Sequence, residues 1–287
     1  MRRFLYIAGL SLLLVLSGSA QVLVEVVLDQ ERYLRDESLP IKVRITNRSG
    51  QTLKLGREDD WLALSVESRD GRSVALVSDI PVKEEFTLPA SMVATRRVDI
   101  TPYYDLSVPG RYTVSATVKI PEWKEEVPSK SKTFEIVRGA NLWEQLVGVP
   151  SAAGGAPEVR KYVLQQAHMK HLTLYVRVTD ENENKTYRIM PVGTLVSFSR
   201  PETQVDKDSN LHLLFQTGAR SFSYSIITPK GDLILRQRHD YTRTRPVLRS
   251  GEDARIYVAG GQRLFAADDI PPPVTPSLTN NVSAVRP

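Results

Sequence analysis

Five arginines crowd fourteen residues in the last fifth of the chain: Arg236, Arg238, Arg243, Arg245 and Arg249. His239, Asp240 and Tyr241 interrupt them. A guanidinium is a planar fork of donors that matches phosphate, sulfate or carboxylate oxygens two at a time. If 233–238 is a strand, Arg236 and Arg238 point to one side and Leu235 and Gln237 to the other. Arg243 and Arg245 repeat that spacing beyond a short loop. Arg236, Arg238, Tyr241, Arg243 and Arg245 are therefore the candidate ligand-binding set, suited to an anionic group. The plainer reading is a charged strand edge that deters pairing with other chains, and the spacing alone leaves both open.

Other constellations say less. His168 and His171 stand three apart, as two metal ligands on a helix would, but no third ligand is near. Two histidines favoured by the dipole at a helix end are the better account. Asp206, Asp208 and Asn210 imitate the start of a calcium loop. Leu211 then stands where that loop needs glycine, and Thr217 where it needs glutamate. Glu58, Asp59 and Asp60 precede Trp61, yet neighbouring carboxylates on one loop cannot face each other across a glycosidic bond. Asn47-Arg48-Ser49, Asn184-Lys185-Thr186 and Asn281-Val282-Ser283 fit the glycosylation pattern, which short stretches match by chance. There is no Gly-rich phosphate loop, no Gly-x-Ser-x-Gly elbow, no His-Glu-x-x-His and no cysteine. The expectation is no catalytic residues, no metal and no cofactor.

The elements that would position these residues read mainly as strands. Val22, Val24 and Val26 alternate with Leu23, Glu25 and Val27, and Ile41, Val43 and Ile45 alternate with charged or polar neighbours. Leu62, Leu64 and Val66 form a further face, with Asp70-Gly71 as its turn. Val98 and Ile100 end another strand. Pro109-Gly110 turns into a strand whose Tyr112, Val114, Ala116 and Val118 share a side, and Phe134 and Ile136 mark a closing strand. Short strands with turns every 8–12 residues are the mark of an immunoglobulin-like sandwich. The approach from Asp105 to Tyr112 resembles that to the penultimate strand of bacterial extracytoplasmic Ig-like modules. There, the resemblance implies, a tyrosine packs and hydrogen-bonds at the sheet corner. It carries no activity across.

Beyond Arg138 the pattern changes. Asn141–Leu146 is expected as a short helix, and 150–157 is a Pro-, Gly- and Ala-rich joint. Glu158–His168 reads as a helix, with Val159, Tyr162, Val163 and Gln166 at helical spacing and Pro157 in its first turn. Strands resume at Leu172. The loop Thr228–Asp232 joins two of them, and Ile256–Ala259 turns through Gly260-Gly261 into Gln262–Phe265. Val205–Leu214 followed by Lys230-Gly231-Asp232 resembles pieces of β-propeller blades, too few to close a ring.

The expected fold class is thus mainly β: an Ig-like antiparallel sandwich over 21–138, a linker with a short helix over 139–157, and a smaller helix-plus-meander domain, partly blade-like, over 158–269. A proline-rich tail, disordered by composition, occupies 270–287.

The opening residues bear on location. Arg2 and Arg3 precede an apolar or small run from Phe4 to Leu16, and Ser17-Gly18-Ser19-Ala20 supplies small residues for a cut after Ala20. The run is shorter than the roughly 20 residues a bilayer-crossing helix needs. Residues 1–20 are accordingly expected to be a signal peptide, and the product to be periplasmic, surface-bound or secreted. A cysteine-free exported chain has no disulfide and points to a bacterial envelope. The net charge of +5 includes Arg2 and Arg3. What is left after them is a mild excess, well short of a nucleic-acid binder.

These readings converge on a non-catalytic secreted or envelope protein. It would be a binding or assembly module whose partner is an envelope protein or an anionic polysaccharide, and not an integral membrane protein. An enzyme or accessory protein acting on extracellular or cell-wall polysaccharide is the alternative, resting on location, Trp61, Trp123 and the arginines. A protease inhibitor presenting Ile120–Pro128 as a loop is a third.

Overall fold

A computed structural model describes residues 22–82, 84–150 and 157–271. The expected signal peptide, most of the Pro-, Gly- and Ala-rich joint and all but the start of the proline-rich tail lie outside the described residues. Twenty-one strands and no α-helix occur among the described residues. They divide into two compact units, one from residues 22–29, 40–82, 84–103 and 113–133, the other from 30–39, 104–112, 134–150 and 157–271.

In chain order the first strands are β1 (Val22–Leu28), β2 (Arg32–Leu34), β3 (Pro40–Asn47), β4 (Leu53–Leu55) and β5 (Leu62–Ser68). Then come β6 (Phe86–Leu88), β7 (Val93–Asp99), β8 (Gly110–Ile120), β9 (Glu125–Pro128) and β10 (Lys132–Val137).

In the first unit β1, β3 and β7 form an antiparallel sheet, with Val24 opposite Ile45 and Ile41 opposite Val98. The alternation expected of β1 and β3 is present: Val22, Val24, Val26, Ile41, Val43 and Ile45 are all buried. Trp61 belongs to this unit's core, 1% exposed. Its indole N–H donates to the Val82 carbonyl at 2.8 Å, and its ring meets Phe86 edge-on. Asn47 is also wholly buried, its amide donating to the Gln51 and Leu88 carbonyls and its oxygen accepting from Ser49. A nitrogen so engaged is unavailable as a glycosylation acceptor. The stretch Ile120–Pro128 is a tight β8–β9 hairpin, with Lys119 opposite Glu126.

In the second unit β2 lies parallel to β10, and Tyr112 stacks on Phe134 with ring centroids 5.5 Å apart. The Tyr112 hydroxyl donates back to the Val108 carbonyl at 2.5 Å, the corner bond expected from the Asp105–Tyr112 segment.

The remaining strands of this unit are β11 (Ala140–Val149), β12 (Glu158–His168), β13 (Leu172–Asp180), β14 (Thr186–Thr194), β15 (Glu202–Val205) and β16 (Leu211–Gln216). They continue with β17 (Ser221–Ile227), β18 (Leu233–Asp240), β19 (Val247–Ser250), β20 (Ile256–Ala259) and β21 (Gln262–Leu264). One sheet runs β11-β12-β13-β14 and another β15-β16-β17-β18-β21. Tyr162 and Leu164 from β12, Leu174 and Val176 from β13, and Leu213 and Phe215 from β16 form the core those two sheets share.

The helices expected over 141–146 and 158–168 are absent; both stretches are strands, and they pair with each other. The reason lies in burial. Tyr162, Val163 and Leu164 are buried in succession, because β12 is covered on both faces. Tyr162 and Leu164 face the shared core, while Ala167 packs with Leu34, Tyr175 and Ile189 on the opposite side. A strand sandwiched in this way loses its period of two, and its apolar residues then mimic helical spacing. His168 consequently ends a strand, and His171 lies in the turn to β13. The dipole account of this pair falls with the helix.

The second sheet is also covered twice. Phe222, Tyr224 and Leu235 on its outer face pack with Leu248 of β19 and Ile256 of β20, so every residue of β16 is buried. Gly260 and Gly261 do not make a hairpin. β20 pairs with β19, and β21 pairs with β18. The two glycines carry the chain between those pairings at φ of 73° and 62°. A Cβ on Gly261 would stand 2.6 Å from Pro246 Cγ and 2.8 Å from the Asp240 carbonyl oxygen.

Candidate functional site

β18 gives the second unit a polar cleft on each of its faces. Pairing with β17 puts Arg236 opposite Ser225 and Arg238 opposite Ser223. These four residues share the face that carries Leu213 and Phe215 on β16. Serine and arginine cannot extend an apolar core. The space therefore opens into a cavity of about 470 Å³ lined by Arg236, Arg238, Ser223, Thr194, Thr217 and Asp268, among others.

Arg238 donates to the Ser221 hydroxyl at 3.1 Å. Arg236 Nη1 stands 4.0 Å from the Asp268 carboxylate, and its buried Nε has no partner among the described residues. The backbone of Arg236 is tied to Ile270 by a pair of 3.1 Å hydrogen bonds. The rest of the expected set lies elsewhere. Tyr241, Arg243 and Arg245 are exposed beyond the strand's end. Arg245 sits 5.2 Å over the ring of Phe222, whose carbonyl-side neighbour Ser223 faces the cavity. Arg249 is exposed on β19. The structure thus unites Arg236 and Arg238 and leaves the others on loops and on another strand.

The opposite face of β18 carries Leu235, Gln237 and His239. Here a larger cavity of about 690 Å³ lies against the β19–β20 hairpin. His212 accepts at Nδ1 from the Tyr224 hydroxyl at 2.6 Å and donates from Nε2 to Asp206 at 3.1 Å, an assignment made from the hydrogen-bond pattern. Burial raises the Asp206 carboxyl, but hydrogen bonds from Asn210 and His212 outweigh it and hold it below the usual carboxylate range. Burial pushes the Tyr224 phenol up to about 12. The Tyr224 ring then meets His239 edge-on at 6.3 Å.

His239 is 8% exposed, and its Nε2 has no partner among the described residues. Burial, then the nearby Arg263 charge, lower this imidazole's pKa from the ordinary histidine value and favour its neutral form. With both nitrogens of His212 engaged, the chain Asp206–His212–Tyr224 acts as a brace that holds the Tyr224 ring in place. Asp206 also caps its own turn through the amides of Asp208 and Asn210, which accounts for the calcium-like spacing as turn chemistry. No group of three or more His, Asp or Glu placed to hold a metal occurs among the described residues.

The arginines were legible as a charge run; Gln237, His212, Tyr224 and His239 were not. They come from three consecutive strands, and only the pairing of those strands brings them to one face. The one local signal is His212, a polar residue inside the apolar strand Leu211–Phe215.

Together the fold and these clefts define an all-β protein with several antiparallel sheets and a polar recess on each side of one strand. No helix among the described residues is long and apolar enough to cross a membrane. No family model matches the chain, and no curated protein matches it. Among solved structures, Spo0M, a sporulation control protein from Bacillus subtilis, aligns over 60% of this chain and 89% of its own, at 10% identity and a TM-score of 0.28. That similarity is too slight to carry a shared fold or activity.

Proposed function

We propose that the chain is an exported, non-catalytic binding and assembly module whose arginine cleft takes an anionic group of an envelope polysaccharide or partner protein. In this reading residues 21–138 are an Ig-like sandwich, 158–269 a blade-like meander that presents the contact, and residues 1–20 are removed on export. The observation that carries it is the pairing of Arg236 and Arg238 on one side of a cleft, with the Arg236 Nε unpartnered. A buried donor left without an acceptor costs about 1–3 kcal/mol, which an incoming oxyanion would recover. Exposed Arg243 and Arg245 supply longer-range attraction that salt screens.

The alternative, an enzyme acting on polysaccharide, gets no help from Trp61, which lies in a core with its N–H engaged. Chromatography on immobilised polygalacturonate and heparin tests the proposal. The exported chain should be retained in a salt-sensitive way, and the Arg236→Ala/Arg238→Ala double variant should not. Elution of the double variant unchanged from that of the parent overturns the cleft assignment. Loss of retention in Arg243→Ala/Arg245→Ala alone would move the contact to the loop.

A further inference from the structure

The two clefts differ in the β18 residues that floor them, and the one floored by Gln237 and His239 has a chemistry of its own. Gln237 and His239 line the 690 Å³ cavity beside the β19–β20 hairpin, and both also line an adjoining, more apolar recess of about 470 Å³. They therefore form the shared floor of one groove that crosses this face of β18. Most of the charged groups on the groove's walls are engaged within the protein, and the Arg255 guanidinium at the hairpin is exposed. Asp206 is spent on Asn210 and His212, Lys207 pairs with Asp208 at 3.0 Å, and Asp253 accepts from the Arg255 amide. At the other end Arg263 pairs with Asp269 at 2.7 Å.

What the floor leaves open is neutral. The half-buried Gln237 amide lines the groove, and the His239 Nε2 is buried without a partner among the described residues, burial favouring the neutral imidazole. Leu235 and Ile226 supply apolar floor. Aromatic rings stand at both ends, Tyr257 at the hairpin and Phe265, 92% exposed, beside the second recess.

We propose that this groove binds a neutral polyhydroxylated ligand, the uncharged end of a glycan one or two rings long. A primary amide and an imidazole each combine donor and acceptor capacity, as vicinal hydroxyls require. The aromatic rims offer apolar surface to the C–H faces of the rings. A charged ligand would find no counter-charge on the floor, and a wholly apolar one would strand the amide and the imidazole. The groove's size falls within the range of small-molecule sites, roughly 300–1,000 Å³. The Asp206–His212–Tyr224 brace fixes the Tyr224 ring against His239, so the floor is set before the ligand arrives.

The test is titration of the exported chain with cellotetraose, maltotetraose and chitotetraose, followed by calorimetry and ligand-observed NMR at low and high salt. At least one should bind saturably with an affinity that salt does not change. Gln237→Ala should weaken it roughly tenfold, the equivalent of one lost hydrogen bond at about 1.4 kcal/mol. Phe265→Ala, whose exposed side chain leaves folding untouched, should weaken it as well. Arg236→Ala/Arg238→Ala should bind the neutral glycan as the parent does, which separates this site from the anion cleft. Absence of saturable binding to all three glycans overturns the proposal, and so does equal binding by the parent, Gln237→Ala and Phe265→Ala.

Discussion

The two faces of β18 are built from alternate residues of one strand, yet they work by opposite means. On one, Arg236 and Arg238 stand over Ser223 and Ser225 and present charge with little support. On the other, Gln237 carries no charge, and His239 rests on a chain of hydrogen bonds and ring contacts reaching back to Asp206. The charged face depends on Coulomb attraction that solvent and salt weaken. The neutral face depends on geometry, and geometry is expensive to disturb. Substitutions should therefore separate the two faces by stability as well as by ligand.

The largest effect is expected where the chain closes over the neutral face. Gly261 lies in the left-handed region, and a methyl group there would press on Pro246 and the Asp240 carbonyl. Strain and overpacking together should make Gly261→Ala lose about 2–4 kcal/mol in urea unfolding. Gly218→Ala, where the nearest atom is 3.8 Å away, should be close to neutral. Equal midpoints for the two variants would mean that the Gly260-Gly261 crossover is not tightly held.

Next comes the brace. Tyr224→Phe keeps the ring but leaves the His212 Nδ1 buried and unpaired, at a cost of about 1–3 kcal/mol. Ser223→Ala, the neighbouring residue on the charged face, removes no side-chain hydrogen bond among the described residues and should change stability by less than about 0.5 kcal/mol. The difference between these adjacent substitutions is a direct measure of how unequally the two faces are built. A Tyr224→Phe variant as stable as Ser223→Ala would dissolve the distinction.

What could be read from sequence follows the same division. Strands with one buried face, such as β1 and β3, kept their alternation and were legible residue by residue. β12 was not legible as a strand, because cover on both faces replaces alternation by a continuous apolar run, whereas β16, covered in the same way, still read as a strand over Leu211–Gln216. β12 then passed for a helix, since the spacing of Val159, Tyr162 and Val163 serves either reading. The arginines announced themselves because charge clusters are visible in one dimension. The neutral groove depends on the register that sets Gln237 opposite Tyr224 and His239 opposite Phe222, and register is a property of pairing across strands. The corner bond of Tyr112 lies between these cases: four residues span it, and its expectation came from the resemblance of the Asp105–Tyr112 segment.

The smallest effect, and the one most specific to the neutral face, is its pH dependence. His239 has its folded-state pKa held down, chiefly by burial, so the unfolded chain takes up a proton that the folded chain refuses. Stability from this residue is fully present above the unfolded value of about 6.5 and is lost as pH falls through it toward the folded value. The slope cannot exceed about 1.4 kcal/mol per pH unit for a single group. Asp269, beside Arg263, works against the shift by favouring the charged imidazole, so the observed slope should fall below that ceiling. Urea midpoints measured from pH 7.5 down to pH 5.5 should decline in the parent and in Arg238→Gln alike, while His239→Gln should flatten the part of the decline that begins near the histidine range. A slope surviving unchanged in His239→Gln would place the titrating group elsewhere and remove the case for a neutral imidazole on the groove floor.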